Sequence, residues 1–228
     1  MPAIIATDDL LYANPLARES DLTGWIREGV PVCSFPQGRL RLENGLDPAL
    51  GQQANFLLWC PERLPADLVV RWSFQPLREP GLAMVFIRAN GRDGRDLFDP
   101  ALERRDGQYH QYHSGDIDAY HASYFRRKNP DGERDFHTCN LRKSRGFHLV
   151  CQGADPLPDV ADARRPYRIE LAACGPHLHM RIDDLLIWRW TDDASLGPVL
   201  GAGYLGLRQM APLIAEYHDL TVHRAVLA

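Results

Sequence analysis

Three consecutive runs near the C-terminus constrain the fold most. Residues 167–172 read YRIELA, residues 177–182 read HLHMRI and residues 185–190 read LLIWRW. Pro176 separates the first two, and Asp183-Asp184 reverses the chain before the third. Polar and apolar side chains alternate with period two, as in strands with one buried face. Strand, turn, strand, turn, strand is a meander, and a meander needs more sheet beside it to bury its apolar side.

The remaining chain supplies that sheet. Extended segments are expected at residues 10–12, 22–29 (around Trp25) and 39–43, the last followed by the turn pair Asn44-Gly45. Residues 55–60 (NFLLWC) read as a strand stopped by Pro61, and residues 68–74 (LVVRWSF) as one closed by Pro76. Residues 82–89 (LAMVFIRA) are nearly continuous apolar, as in a strand buried on both faces. Further strands are expected at 110–113, 121–126, 138–143, 146–151, 201–210 and 215–223, with 129–132 as a loop. Roughly a dozen strands at about 8–12-residue spacing predict an all-β protein. Only 100–105 and 210–216 carry weak helical periodicity. The 17 prolines and 18 glycines are spread along the chain, so residues 1–228 are expected to form a single domain.

The net charge of −4 gives no footprint for nucleic acid or an anionic membrane. Five cysteines, an odd number with no CxxC, predict reduced thiols and a cytoplasmic protein. Neither a signal peptide nor a membrane span is read from the N-terminus or elsewhere.

Chemistry-bearing residues concentrate in residues 108–150. This segment holds five of the nine histidines (His110, His113, His121, His137, His148) and four of the eight tyrosines (Tyr109, Tyr112, Tyr120, Tyr124). Arg126, Arg127, Lys128, Arg134, Arg142, Lys143 and Arg145 run between them. Tyr, His and Arg together suit a polyhydroxylated or anionic ligand, whereas a segment this polar is a poor core.

Three stretches then resemble a known family: QYHQYHSGDIDAYHASYFRR with NLRKSRGFHLV, GYLGLRQMAPLIAEYHDLTVH, and the shorter WCP, LPADLVVRWSF and DLFDP. Over residues 59–222 the chain resembles the YesU-like family, bacterial domain of unknown function 1961. The resemblance implies a concanavalin A-like jelly-roll β-sandwich of two antiparallel sheets. It also implies an association with the use of plant polysaccharide, notably rhamnogalacturonan, but no mechanism. The implied ligand is an oligosaccharide.

Two cleavage chemistries are open to these residues. Retaining hydrolysis needs two carboxylates about 5–5.5 Å apart. No E-x-D-x-x-E run is present, so Asp99, Asp116 and Glu216 would have to converge from separate elements. β-Elimination from a uronic acid needs a base, an acid and cations for the carboxylate. The candidate catalytic residues are His121, Tyr124, Asp116 and His113. The candidate substrate-binding residues are Tyr120, Arg126, Asn140, Arg142, Lys143, His148, Arg208 and Gln209. In a strand, Tyr120, Tyr124 and Arg126 would share one face and His121 the other. Tyr109 and Tyr112 are read as ligand contacts or as cover for a sheet edge. No cofactor is expected; a structural calcium at Asp192-Asp193 and a metal at His177 and His179 are minor readings. The rival is a non-catalytic, lectin-like sugar-binding protein built on the same groove.

Overall fold

Leu68, Val70, Trp72 and Phe74 alternate along one strand, and all four are buried. Their partners on a facing sheet alternate in the same way, which makes two sheets with one core between them. In the computed structural model, which describes residues 2–127 and 137–228, both sheets are antiparallel.

Strands are numbered in chain order. The first sheet runs β13 (Leu185–Thr191), β12 (His177–Ile182), β11 (Tyr167–Cys174), β6 (Leu68–Arg78), β15 (Ile214–Leu227), β4 (Leu40–Asn44), β3 (Pro31–Ser34). β1 (Ile4–Asn14) pairs with β15. The second runs β10 (His148–Ala154), β9 (Thr138–Ser144), β8 (Ile117–Arg127), β7 (Gly81–Gly91), β14 (Gly203–Met210), β5 (Phe56–Leu64), β2 (Ile26–Glu28). This is a jelly-roll β-sandwich. The expected meander is β11, β12 and β13, joined at the expected turns.

Two prolines do not end their strands. β5 continues through Pro61 and β6 through Pro76. Each lies at a register shift of the pairing, opposite a break in the β14 and β15 ladders, where a missing N–H leaves no ladder bond unmade. Residues 110–113 are not a strand but a single helical turn, α1 (His110–His113). Residues 100–105 carry no helix, and 210–216 are a turn running into β15. The expected loop at 129–132, with Lys128 and Arg134, lies outside the described residues.

The main core fills the space between the sheets and includes Phe56, Trp72, Phe74, Tyr124 and Tyr217. A second cluster lies on the other side of the second sheet. There Leu57, Trp59, Met84 and Phe86 are covered by the segment 92–116, through Leu97, Phe98 and Tyr112. The near-continuous apolar run of β7 follows from this, since Val85 and Ile87 face the main core while Met84 and Phe86 face the second cluster. Gly206 on β14 is part of the same fit, because a Cβ there would lie 2.6 Å from the Trp59 ring.

Candidate functional site

The pairing register sorts the candidates between the two faces of the second sheet. Across it, His121 of β8 lies opposite Phe86 of β7 and Arg142 of β9. In the next row, Ser123 lies opposite Met84 and Asn140, and Met84 opposite Arg208 of β14. These side chains are on the face away from the main core. Tyr120, Ala122 and Tyr124 are on the core face with Leu141.

Tyr124 is therefore a core residue. It has no exposure, and its hydroxyl accepts a hydrogen bond from Trp72 Nε1 at 3.1 Å. Burial drives its phenol well above the ordinary range. Tyr120 is also inside, donating from its hydroxyl to the Asp192 carboxylate. Lys143 Nζ lies 2.7 Å from the same carboxylate and 2.7 Å from the Gly197 carbonyl. Its second oxygen accepts from the Ala194 backbone at 3.0 Å. Asp192 thus closes a buried internal network, and neither Tyr120 nor Lys143 reaches a ligand face. Gln209 lies opposite Ala83 and Phe56 of the core and has no exposure.

Arg126 departs from strict alternation. Phe125 has φ 47°, and the pairing of β7 with β8 shifts register between Ala83 and Gly81. This bulge keeps Phe125 in the core beside Tyr124 and sends Arg126 to the opposite face, with Ser123. Arg126 and Tyr124 therefore lie on different faces.

A cleft of about 400 Å³ opens on that face. Its floor is Met84, Ser123 and Asn140; Arg126 and Arg142 stand on one side, Leu82 and Met210 on the other. Tyr109, carried by the segment that ends in α1, and Phe147, from the turn between β9 and β10, complete the wall. The described lining contains no Asp or Glu.

The Tyr109 hydroxyl and His121 Nε2 share a hydrogen bond of 2.9 Å. His121 stacks on Phe86 with ring centres 4.8 Å apart, and its Nδ1 lies 3.4 Å from Ser144 Oγ. Burial, then the charges of Arg142, His113 and Arg208, hold its imidazolium well below the ordinary 6.5. Burial pushes the Tyr109 phenol up to about 12, while Arg208, Arg142 and Arg126 pull the other way.

Three guanidiniums surround this pair. Arg208 is fully buried, its Nη1 donating to the Gly107 carbonyl at 2.6 Å and its centre 5.2 Å and 5.1 Å from the Tyr109 and Tyr112 rings. Its Nε and Nη2 have no partner among the described residues. Arg142 donates to the Phe147 carbonyl at 2.7 Å and lies 3.7 Å over that ring. No described carboxylate is paired with Arg126. Arg127, also at the cleft, is already bound to Asp155 and Asp159.

The remaining candidates lie nearby or elsewhere. His113 packs on Phe147 with ring centres 4.2 Å apart and shares a 2.7 Å hydrogen bond with Ser114 Oγ, outside the cleft lining. His148 is exposed on the edge strand β10. Asp116 accepts from the Glu103 backbone at 2.6 Å, and Asp99 from the Ala101 backbone at 2.8 Å. Glu216 is on the other sheet, bound to Arg41 at 2.8 Å. The three carboxylates do not converge. His177 and His179 bond to Thr191 and Glu170, and among the described residues no cluster of three or more His, Cys, Asp or Glu is arranged for a metal ion. Phe147 is the main addition, and Tyr109, read as a ligand contact or as cover for a sheet edge, lines the cleft. The i, i+3 spacing of Tyr109/Tyr112 and His110/His113 between Gly107 and Ser114-Gly115 is the signal for a single helical turn that aims a tyrosine pair at the sheet.

The profile of the family described as domain of unknown function DUF1961 matches residues 9–222. The chain belongs to this family. It is 51% identical over 217 residues to the uncharacterized protein YesU of Bacillus subtilis (strain 168), covering 95% of this chain and 96% of that protein. A Bacillus subtilis crystal structure, described as a protein of unknown function with a galectin-like fold, has 49% identity and a TM-score of 0.92, covering 98% of this chain and 99% of that one. A Bacillus licheniformis β-glucanase shares the fold at 10% identity, with a TM-score of 0.58 over 96% of this chain and 100% of its own. No helix among the described residues is long and apolar enough to cross a membrane.

Proposed function

We propose that this DUF1961 protein binds an acidic oligosaccharide in the cleft and cleaves it by β-elimination. The observation that carries the reading is the Tyr109–His121 hydrogen bond of 2.9 Å beside Arg142, Arg126 and Arg208, in a described lining without a carboxylate. Elimination from a uronic acid removes the proton on the carbon bearing the carboxylate. A carbon–carbon double bond then forms, the bond to the glycosidic oxygen breaks, and that oxygen takes a proton. Guanidiniums paired with the carboxylate acidify the carbon and hold the developing charge. Tyr109 is the group at the cleft wall that exchanges the proton. His121, neutral and bonded to its hydroxyl, accepts the phenolic proton and returns it.

Both groups are held neutral in the free protein, and the ligand changes that balance. Burial is the larger cause of the low His121 proton affinity, and a carboxylate among the arginines offsets the smaller part that comes from their charge, so substrate binding raises that affinity at the step that needs it. Hydrolysis by paired carboxylates has less support, because Asp99, Asp116 and Glu216 are scattered and each is engaged.

The second reading is a non-catalytic, lectin-like site in the same cleft. It is favoured by one observation, that neither Tyr109 nor His121 titrates near neutrality in the free protein. Incubation with a panel of uronic-acid oligosaccharides, rhamnogalacturonan fragments among them, and mass spectrometry of the mixture separates the readings. Fragment masses that sum to the substrate support elimination. Fragments heavier in total by one water indicate hydrolysis, and binding without fragments indicates the lectin.

A further inference from the structure

We infer that the cleft is blind at one end and takes a short oligosaccharide or a chain terminus, not the interior of a polymer; this rests on the reading of the cleft as a site for acidic sugar. A ligand lying across the strands would pass over Asn140, Ser123 and Met84 and next meet Arg208. Along that row the path ends, while Met210 of β14 flanks it in the cleft lining. Arg208 has no exposure and is roofed by the Tyr109 and Tyr112 rings. Beyond it Leu57 and Trp59, the outward residues of β5, have no exposure either.

The roof is fastened to the sheet rather than draped over it. Gly107, with φ 101°, sits where a Cβ would be 2.1 Å from the Asn55 carbonyl oxygen, so backbone lies directly on backbone. Within the roof the Gly107 N–H donates to the Tyr112 hydroxyl at 3.1 Å, and the Tyr109 N–H donates out of it to Gln52 Oε1, in the turn before β5, at 3.2 Å. Arg105 is buried and paired with Glu28 of β2 at 2.9 Å. The segment is thus tied to β2 and to residues 52–56, which lead into β5. The remaining volume, about 400 Å³, is near the small end of the roughly 300–1,000 Å³ range of ligand pockets.

The test uses the wild-type protein and galacturonate oligosaccharides from dimer to octamer. Two quantities are read: product sizes at low conversion, and the ligand-induced rise in Tm. The expected result is one short product of constant size from every longer substrate, with a Tm rise that levels off by the trimer. Mixed internal fragments from the octamer, or a Tm rise still growing from hexamer to octamer, would overturn the inference. If nothing is cleaved, the elimination reading fails while the Tm series still decides the length limit. No Tm shift at any length overturns both.

Discussion

The Tyr109 hydroxyl meets His121 Nε2 at 2.9 Å, although the two residues come from different layers of the protein. His121 belongs to the middle of a sheet, and Tyr109 to the segment folded over it. Their contact joins a strand to the segment folded over it, beside three guanidiniums. A buried neutral histidine alone would be unremarkable packing; bonded to a phenol at the wall of a cationic cleft, it has the geometry that the proposed elimination requires of a proton relay.

The histidine also predicts how stability depends on pH. Folding holds its imidazolium well below 6.5, so below that pH the unfolded chain binds a proton that the folded chain refuses. Stability is therefore full above about 6.5 and declines as the pH falls beneath it. His121→Gln should flatten the Tm profile between about pH 7 and pH 5 relative to wild type. Glu170 acts in a lower window. Burial pushes its carboxyl up, but hydrogen bonds from His179 and Arg71 outweigh this and bring it from 4.5 to about 2. Its contribution is lost as the pH falls through that range, and Glu170→Gln should remove the lower limb only.

Arg142 predicts charge selectivity. A hydrogen bond to a charged group contributes about 1.5–3 kcal/mol, so Arg142→Gln should weaken binding of an acidic oligosaccharide by roughly tenfold to a hundredfold. A neutral oligosaccharide of the same length should bind both proteins alike. Calorimetric titration with the matched pair checks this, and equal losses for both ligands would assign Arg142 to shaping the wall through Phe147.

The sequence carried the fold more clearly than the site, for physical reasons visible in single residues. Alternation marked the meander and β6 because each buries one face. The concentration of Tyr, His and Arg in 108–150 singled out a segment whose His121, Asn140, Arg142 and Arg126 gather, with Arg208, at or against one cleft. Which tyrosine accompanies them was not legible. Both faces of β8 carry polar-tipped side chains, so periodicity does not say which faces the core, and a shift of one residue exchanges them. The bulge at Phe125 leaves no sequence mark, since a positive φ is unusual for phenylalanine. Asp192 illustrates the same problem, because its partners Tyr120 and Lys143 come from β8 and β9, far away in the chain.

Tyr124→Phe tests the assignment of that residue to the core. It removes a buried hydroxyl and leaves Trp72 Nε1 without its acceptor, which costs about 1–3 kcal/mol. Urea unfolding should show this loss while ligand binding and turnover stay at wild-type values.

Lys143 and Asp192 form a buried ion pair at 2.7 Å. Removing one partner leaves an uncompensated charge, so Lys143→Met should destabilise by about 3–5 kcal/mol. Adding Asp192→Asn should recover much of that loss. A double variant no more stable than the single one would contradict the pairing; altered sugar selectivity at unchanged stability would return Lys143 to the ligand site.

The most direct test compares wild type with Tyr109→Phe on one uronic-acid oligosaccharide that wild type cleaves, following binding and formation of the product double bond by ultraviolet absorbance. The expected result is near-unchanged affinity and a rate lower by about a hundredfold or more, because the ring that shapes the wall remains and only the proton-carrying oxygen is lost. Cleavage by Tyr109→Phe at the wild-type rate would contradict it.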